Sequence, residues 1–122
     1  MNKNVDSELC FVKGFDDWII AGTLGESELI AINTLNRKTV PVCLGKNLIL
    51  SMGSSIKSSE IYVLVESKDE VDNSQQTIKK VLIVDVDNEN QPIVDQFEVF
   101  GDARSIHVIG DGDVLIVEGR HF

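Results

Sequence analysis

The sequence predicts an all-β domain of antiparallel four-stranded repeats. Three observations carry this. The apolar runs are short, rich in Val and Ile, and bounded by Gly, Asn, Asp and Ser, with almost no helical periodicity. One motif recurs: an acidic residue, four or five mostly apolar residues, then a turn or polar residue. It appears as Asp17-Trp18-Ile19-Ile20-Ala21-Gly22, as Glu60-Ile61-Tyr62-Val63-Leu64-Val65-Glu66, and as Asp113-Val114-Leu115-Ile116-Val117-Glu118-Gly119. The first two copies start 43 residues apart and the next two 53 apart. Removing a 9-residue excess after Glu60 brings the second spacing to 44. A strand-built period of about 40–45 residues is the signature of propeller blades.

The strands follow in order. The first unit is Leu9 to Lys13, Trp18 to Gly22, Glu28 to Asn33 and Thr39 to Leu44. The second is Leu48 to Met52, Ile61 to Glu66, Val81 to Val86 and Ile93 to Val99. A third begins with Ser105 to Ile109 and Val114 to Glu118. Residues 1–122 form one domain with units of roughly 7–46, 47–102 and an incomplete 103–122. Gly14-Phe15-Asp16, Leu35-Asn36-Arg37, Asp87-Asn88-Glu89-Asn90 and Gly110-Asp111-Gly112 are short turn-formers, so neighbouring strands pair antiparallel. Ser67 to Lys79 is polar and charged, and reads as a mobile surface loop.

The run Ile61 to Val65 and the run Val81-Leu82-Ile83-Val84 are continuously apolar rather than alternating. Such strands are covered on both faces. Stacked blades meet that demand, whereas the alternatives, a compact β-sandwich or barrel, predict better alternation.

Composition narrows function. Twenty acidic residues against 11 basic give a formal charge of −9, which repels nucleic-acid backbones and anionic membranes. The first nine residues carry no apolar segment and no apolar run approaches a membrane span, which fits a cytoplasmic protein. Cys10 and Cys43 form no zinc or CxxC pattern, fall on opposite sides of one sheet, and are expected as free thiols.

The segment Val81-Leu82-Ile83-Val84-Asp85-Val86-Asp87, then Gln91-Pro92, Gly101-Asp102-Ala103-Arg104-Ser105-Ile106-His107-Val108, Gly110 and Val114-Leu115-Ile116-Val117 resembles the LVIVD-type β-propeller repeat. The likeness covers about a third of the chain. The first unit lacks the Pro turn and the Gly-x-Ala step. The resemblance implies a propeller fold but no particular activity. Closed propellers need at least four blades, so two and a half require copies of the chain, a partner, or further polypeptide to close the ring.

No catalytic constellation emerges. His107 lies in an apolar strand and reads as a structural or ligand-contacting residue, and His121 as solvated. Asp85, Asp87 and Glu89 match the first half of a calcium loop, but Asn90 and Gln96 stand where Gly and Glu are required. Asp16, Asp17, Asp111 and Asp113 read as turn residues. No nucleophile elbow, phosphate loop or paired metal-binding histidines appear, so neither enzyme activity nor a metal or cofactor is expected.

In propeller geometry, connections between second and third strands share a rim with connections between units. The candidate ligand or partner face on that rim and the inner strand is Thr23, Glu26, Lys46, Asp102, Arg104 and His107. Val114, Ile116 and Glu118 form a candidate partner edge open to strand addition. The function expected is a non-enzymatic interaction or scaffold module that binds protein or itself. The alternative is a sugar- or nucleotide-binding protein with sites between blades, disfavoured by 6% aromatic content with one Trp and one Tyr. A third reading, an enzyme using rim carboxylates such as Asp102, has no marked pair to rest on.

Overall fold

The computed structural model describes residues 9–13, 17–54, 60–71, 74–88, 90–109 and 114–119. For 9–13, 68–71, 74–76, 114–116 and 118 it describes the backbone alone. Every regular element among the described residues is a strand: β1 (Leu9–Lys13), β2 (Trp18–Thr23), β3 (Glu28–Asn33), β4 (Thr39–Cys43), β5 (Leu48–Ser54), β6 (Glu60–Val71), β7 (Ser74–Asp85), β8 (Ile93–Val99), β9 (Ala103–Ile109) and β10 (Val114–Gly119). They form a first sheet β1-β2-β3-β4, a middle sheet β5-β6-β7-β8 and a third sheet β9-β10, all antiparallel, with no closed barrel. The expected strands are all present, with ends shifted by one or two residues apart from β6 and β7.

Those two strands carry the main correction. Ser67 to Lys79 is not a loop. The β6–β7 ladder continues past Glu66↔Lys79 through Ser67↔Ile78, Lys68↔Thr77, Asp69↔Gln76 and Glu70↔Gln75 to Val71↔Ser74. Two residues remain to turn the chain, the commonest hairpin length. Sequence reading fails here because every position of the extension but Val71 and Ile78 is polar, so no apolar period marks it. Backbone pairing stabilises a ribbon that has no core to bury.

The sheets stack face to face with the middle one inside. Along β6, Ile61, Val63 and Val65 join Ile20, Leu29, Ala31, Val42 and Leu44 of the first sheet and the loop after it. Tyr62 and Leu64 point the other way, toward Ala103 and Ile106 of the third sheet, with Val117 packed beside them. Alternate side chains of a strand leave by opposite faces, so both faces of β6 are in a core. This is the physical reason for its unbroken apolar run. A two-layer sandwich has no such strand. Trp18 packs against the core between the first and middle sheets.

Between sheets, the close approaches run along the first strands, β1 to β5 and β5 to β9, with β6 also reaching β9. Glycine permits the β5–β9 approach at Gly53, and at Gly22 on β2 it lets Ile49 of β5 come close. A Cβ on Gly22 would stand 2.8 Å from Leu29 Cδ2 and 3.0 Å from Ile49 Cδ1, and one on Gly53 would stand 3.1 Å from Val108 Cγ2.

The first and middle sheets end their third strands alike. Asn33 Oδ1 accepts the amides of Leu35 (2.9 Å) and Asn36 (3.2 Å), and Asp85 Oδ1 accepts the amide of Asp87 (3.0 Å). Asn33 N donates to Lys38 O and Asp85 N to Pro92 O, closing each turn at the same place. These are Asx turns. The Asp85 carboxylate is thus a turn acceptor, and Glu89 lies outside the described residues, as do Gly14-Phe15-Asp16, Gly110-Asp111-Gly112, Asp113 and His121. Asp17 serves its turn through its carbonyl, which accepts Thr34 N (2.6 Å) and Oγ1 (3.0 Å).

Cys10 and Cys43 stand on opposite edge strands of the first sheet. Three strand spacings separate them by about 14 Å, twice the reach of a disulfide. Cys43 is a free, exposed thiol.

Candidate functional site

Two junctions between sheets place five of the six candidate face residues. At the first-to-middle junction the β2–β3 loop binds the start of β5. Gly25 N donates to Ile49 O (2.9 Å), Ile49 N to Glu26 O (2.8 Å), and Leu44 N to Ser27 O (2.8 Å). Gly25 and Gly45 take left-handed φ of 83° and 72°, which lets both loops turn within three or four residues. Thr23, half-buried at the end of β2, and the exposed Glu26 and Lys46 belong to this junction.

At the middle-to-third junction lies a cleft of about 320 Å3 lined by Leu50, Glu66, Lys79, Ala103 and Arg104. Two β-bulges shape it. In β5 the pairs Ile49↔Val65 and Ser51↔Leu64 leave Leu50 without an opposite residue. In β9 the pairs Ala103↔Gly119 and Ser105↔Glu118 leave Arg104 likewise. A bulge re-aims the residue it inserts, and here both inserted residues line the cleft. The two strands then share one burial rhythm, with Ile49 and Met52 buried in β5 and Ala103 and Ile106 in β9. Lys79 Nζ donates to Ala103 O at 2.8 Å, and Ser51 Oγ accepts Ile106 N at 3.2 Å.

Among the described residues the lining offers an ammonium, a guanidinium, a carboxylate and two apolar walls, and no hydroxyl, thiol or imidazole. Such a set binds through charge and hydrogen bonds, for example a carboxylate-bearing or zwitterionic group. Among the described residues no three His, Cys, Asp or Glu side chains come together as metal ligands.

The structure divides the six face residues. Arg104 lines the cleft beside the turn that holds exposed Asp102, while Thr23, Glu26 and Lys46 sit at the first-to-middle junction. His107 stands apart, exposed on β9 with Nε2 3.5 Å from Ser105 Oγ. The ladder sets His107 opposite Ile116, Ile109 opposite Val114 and Ser105 opposite Glu118, so these positions share one face of the third sheet. Glu66 and Lys79 were missed as site residues. Their signal is an acid closing one apolar run and a lysine opening the next, a cross-strand charge pair once the hairpin is recognised.

No helix among the described residues is long and apolar enough to cross a membrane. No protein-family model and no curated protein sequence matches the chain.

Proposed function

We propose that this chain is a non-enzymatic protein–protein interaction module, a run of β-propeller-type units whose ring is completed by further copies, a partner chain or additional polypeptide. One observation carries the reading. In the middle sheet β6 is covered on both faces, whereas the first sheet turns Ile19 and Ile30 to solvent at 37% and 39% exposure, with Ala21 and Ile32 half-buried beside them. An apolar sheet face of this kind gains free energy when another sheet covers it. The convergence of β1, β5 and β9, the first strands of the three sheets, supports the blade-like arrangement. Cytoplasmic location and LVIVD-type kinship remain part of the proposal.

The test is native mass measurement of the purified protein alone and with candidate partners, paired with Ile30→Lys. Assembly through the first sheet's outer face, weakened at least tenfold by the substitution, supports the reading. A monomer with no partner and no response to Ile30→Lys defeats it.

The cleft between the middle and third sheets favours a second reading, a small-ligand binder with its site between units. Its ligands would carry a carboxylate or a zwitterionic group. Calorimetric titration with Arg104→Ala as control separates the two.

A further inference from the structure

The face that the middle sheet turns to the third changes character at one end. Alternate residues of a strand share a face. Tyr62, Leu64 and Glu66 of β6 therefore follow one another on it, as do Val81 and Lys79 of β7. Leu64 and Val81 are fully buried in the core between these sheets. Glu66 and Lys79, opposite each other in the ladder, stand half-buried at its mouth. Ala103, fully buried, and Arg104, exposed, line the mouth from the third sheet. The cleft of about 320 Å3 that these residues share with Leu50 has the space of roughly ten waters.

The charges at this mouth are not paired with one another. Opposite charges directly across an antiparallel pair attract, yet Lys79 Nζ donates to Ala103 O at 2.8 Å. Among the described residues the side chains of Glu66 and Arg104 make no hydrogen bond or ion pair. The ammonium of Lys79 has donors to spare beyond the one given to Ala103. A second observation is independent of charge. Leu50 and Arg104, the residues that the two bulges leave without an opposite partner, both line the cleft. Bulges concentrate beside sites because they re-aim a side chain.

We infer that this cleft binds a free α-amino acid with an aliphatic side chain. The inference rests on the small-ligand reading and names the ligand's class. The α-carboxylate pairs with the Arg104 guanidinium and a remaining Lys79 donor. The α-ammonium pairs with the Glu66 carboxylate. The aliphatic chain lies against Leu50 and Ala103, because the described lining holds no further polar side chain for a polar substituent. Charge complementarity selects the zwitterion. A simple anion meets the Glu66 carboxylate and leaves it without a counter-charge, and a simple cation meets Lys79 and Arg104. A phosphate ester meets the same carboxylate in a chain of net charge −9. A peptide terminus carries one of the two charges and leaves the other group unpaired.

The experiment is calorimetric titration of the full chain with three probes: leucine, isocaproate, which lacks the ammonium, and isoamylamine, which lacks the carboxylate. Neither analogue is larger than leucine, so size does not confound the comparison. Leucine is expected to bind saturably and about tenfold or more tighter than either analogue, the loss of one charge-assisted contact. Arg104→Ala should abolish leucine binding, and Glu66→Gln should bring leucine and isocaproate to equal affinity. Far-ultraviolet dichroism confirms that both variants fold. Either analogue binding the unsubstituted chain as tightly as leucine overturns the amino-acid assignment and keeps the small-ligand reading. Leucine binding that survives both substitutions overturns the assignment to this cleft. Binding of none of the three probes overturns the inference and the small-ligand reading together, and leaves the interaction module to its native-mass test.

Discussion

Lys79 Nζ donates to the carbonyl oxygen of Ala103 at 2.8 Å, tying the end of the β7–β8 ladder to the first residue of β9. Its register partner on β6 is Glu66, yet the ammonium serves the carbonyl. Lys79→Met removes a charge-assisted bond from a half-buried site and is expected to cost about 1–2 kcal/mol. Urea denaturation measures it, and Ala103 and Arg104 should gain amide exchange first.

Ser51 Oγ is the acceptor for Ile106 N between the middle and third sheets. Ser51→Ala leaves that part-buried amide without it, at an expected cost of about 1–3 kcal/mol. Exchange of the Ile106 amide should accelerate while amides of the first sheet stay unchanged. Equal acceleration in all three sheets would refute a local role for this bond.

Gly22 holds the first and middle sheets in contact. Gly22→Val places methyl groups where Leu29 Cδ2 and Ile49 Cδ1 already stand, 2.8 and 3.0 Å from the would-be Cβ. The expected loss is about 1–3 kcal/mol from overpacking, seen as a lower melting temperature.

Arg37 takes φ 62° in the β3–β4 turn, where its amide donates to Asn33 O. A side chain in that conformation costs roughly 1 kcal/mol relative to glycine. Arg37→Gly should raise stability by up to about 1 kcal/mol, the entropy of the unfolded glycine offsetting part of the gain. Chemical denaturation with an unchanged slope checks it.

Leu64 is fully buried between the middle and third sheets. Leu64→Ala should cost about 2–5 kcal/mol. Ser105, half-buried on β9 with its Oγ 3.5 Å from His107 Nε2, should tolerate alanine within about 0.5 kcal/mol. Thermal melts of both variants test the layering.

The strands and their stacking were legible from residues alone. Five consecutive apolar residues from Ile61 to Val65 are tolerable only when both faces of a strand are covered, and Asn33 and Asp85 mark the turns by the acceptors they carry. The site was legible in part. Gly101-Asp102-Ala103 located the middle-to-third junction, but nothing local showed that Leu50 and Arg104 are bulge residues, because a bulge is a mismatch between two strands and belongs to neither alone. The β6–β7 arm was invisible for the same reason: its pairing is a property of the backbone.

Hydrophobic pattern by itself determined where the strands lie, which of them are doubly covered, and the order in which they follow. Only the tertiary structure decided which apolar residues stay uncovered. Val42 closes the row Gly22↔Leu29↔Val42 across the first sheet and Phe97 the row Leu64↔Val81↔Phe97 across the middle sheet, yet one is 3% exposed and the other 42%. Among the described residues the sheet facing Val42 has four strands and the sheet facing Phe97 two, and how far a facing sheet extends is a property of the packed sheets rather than of either side chain.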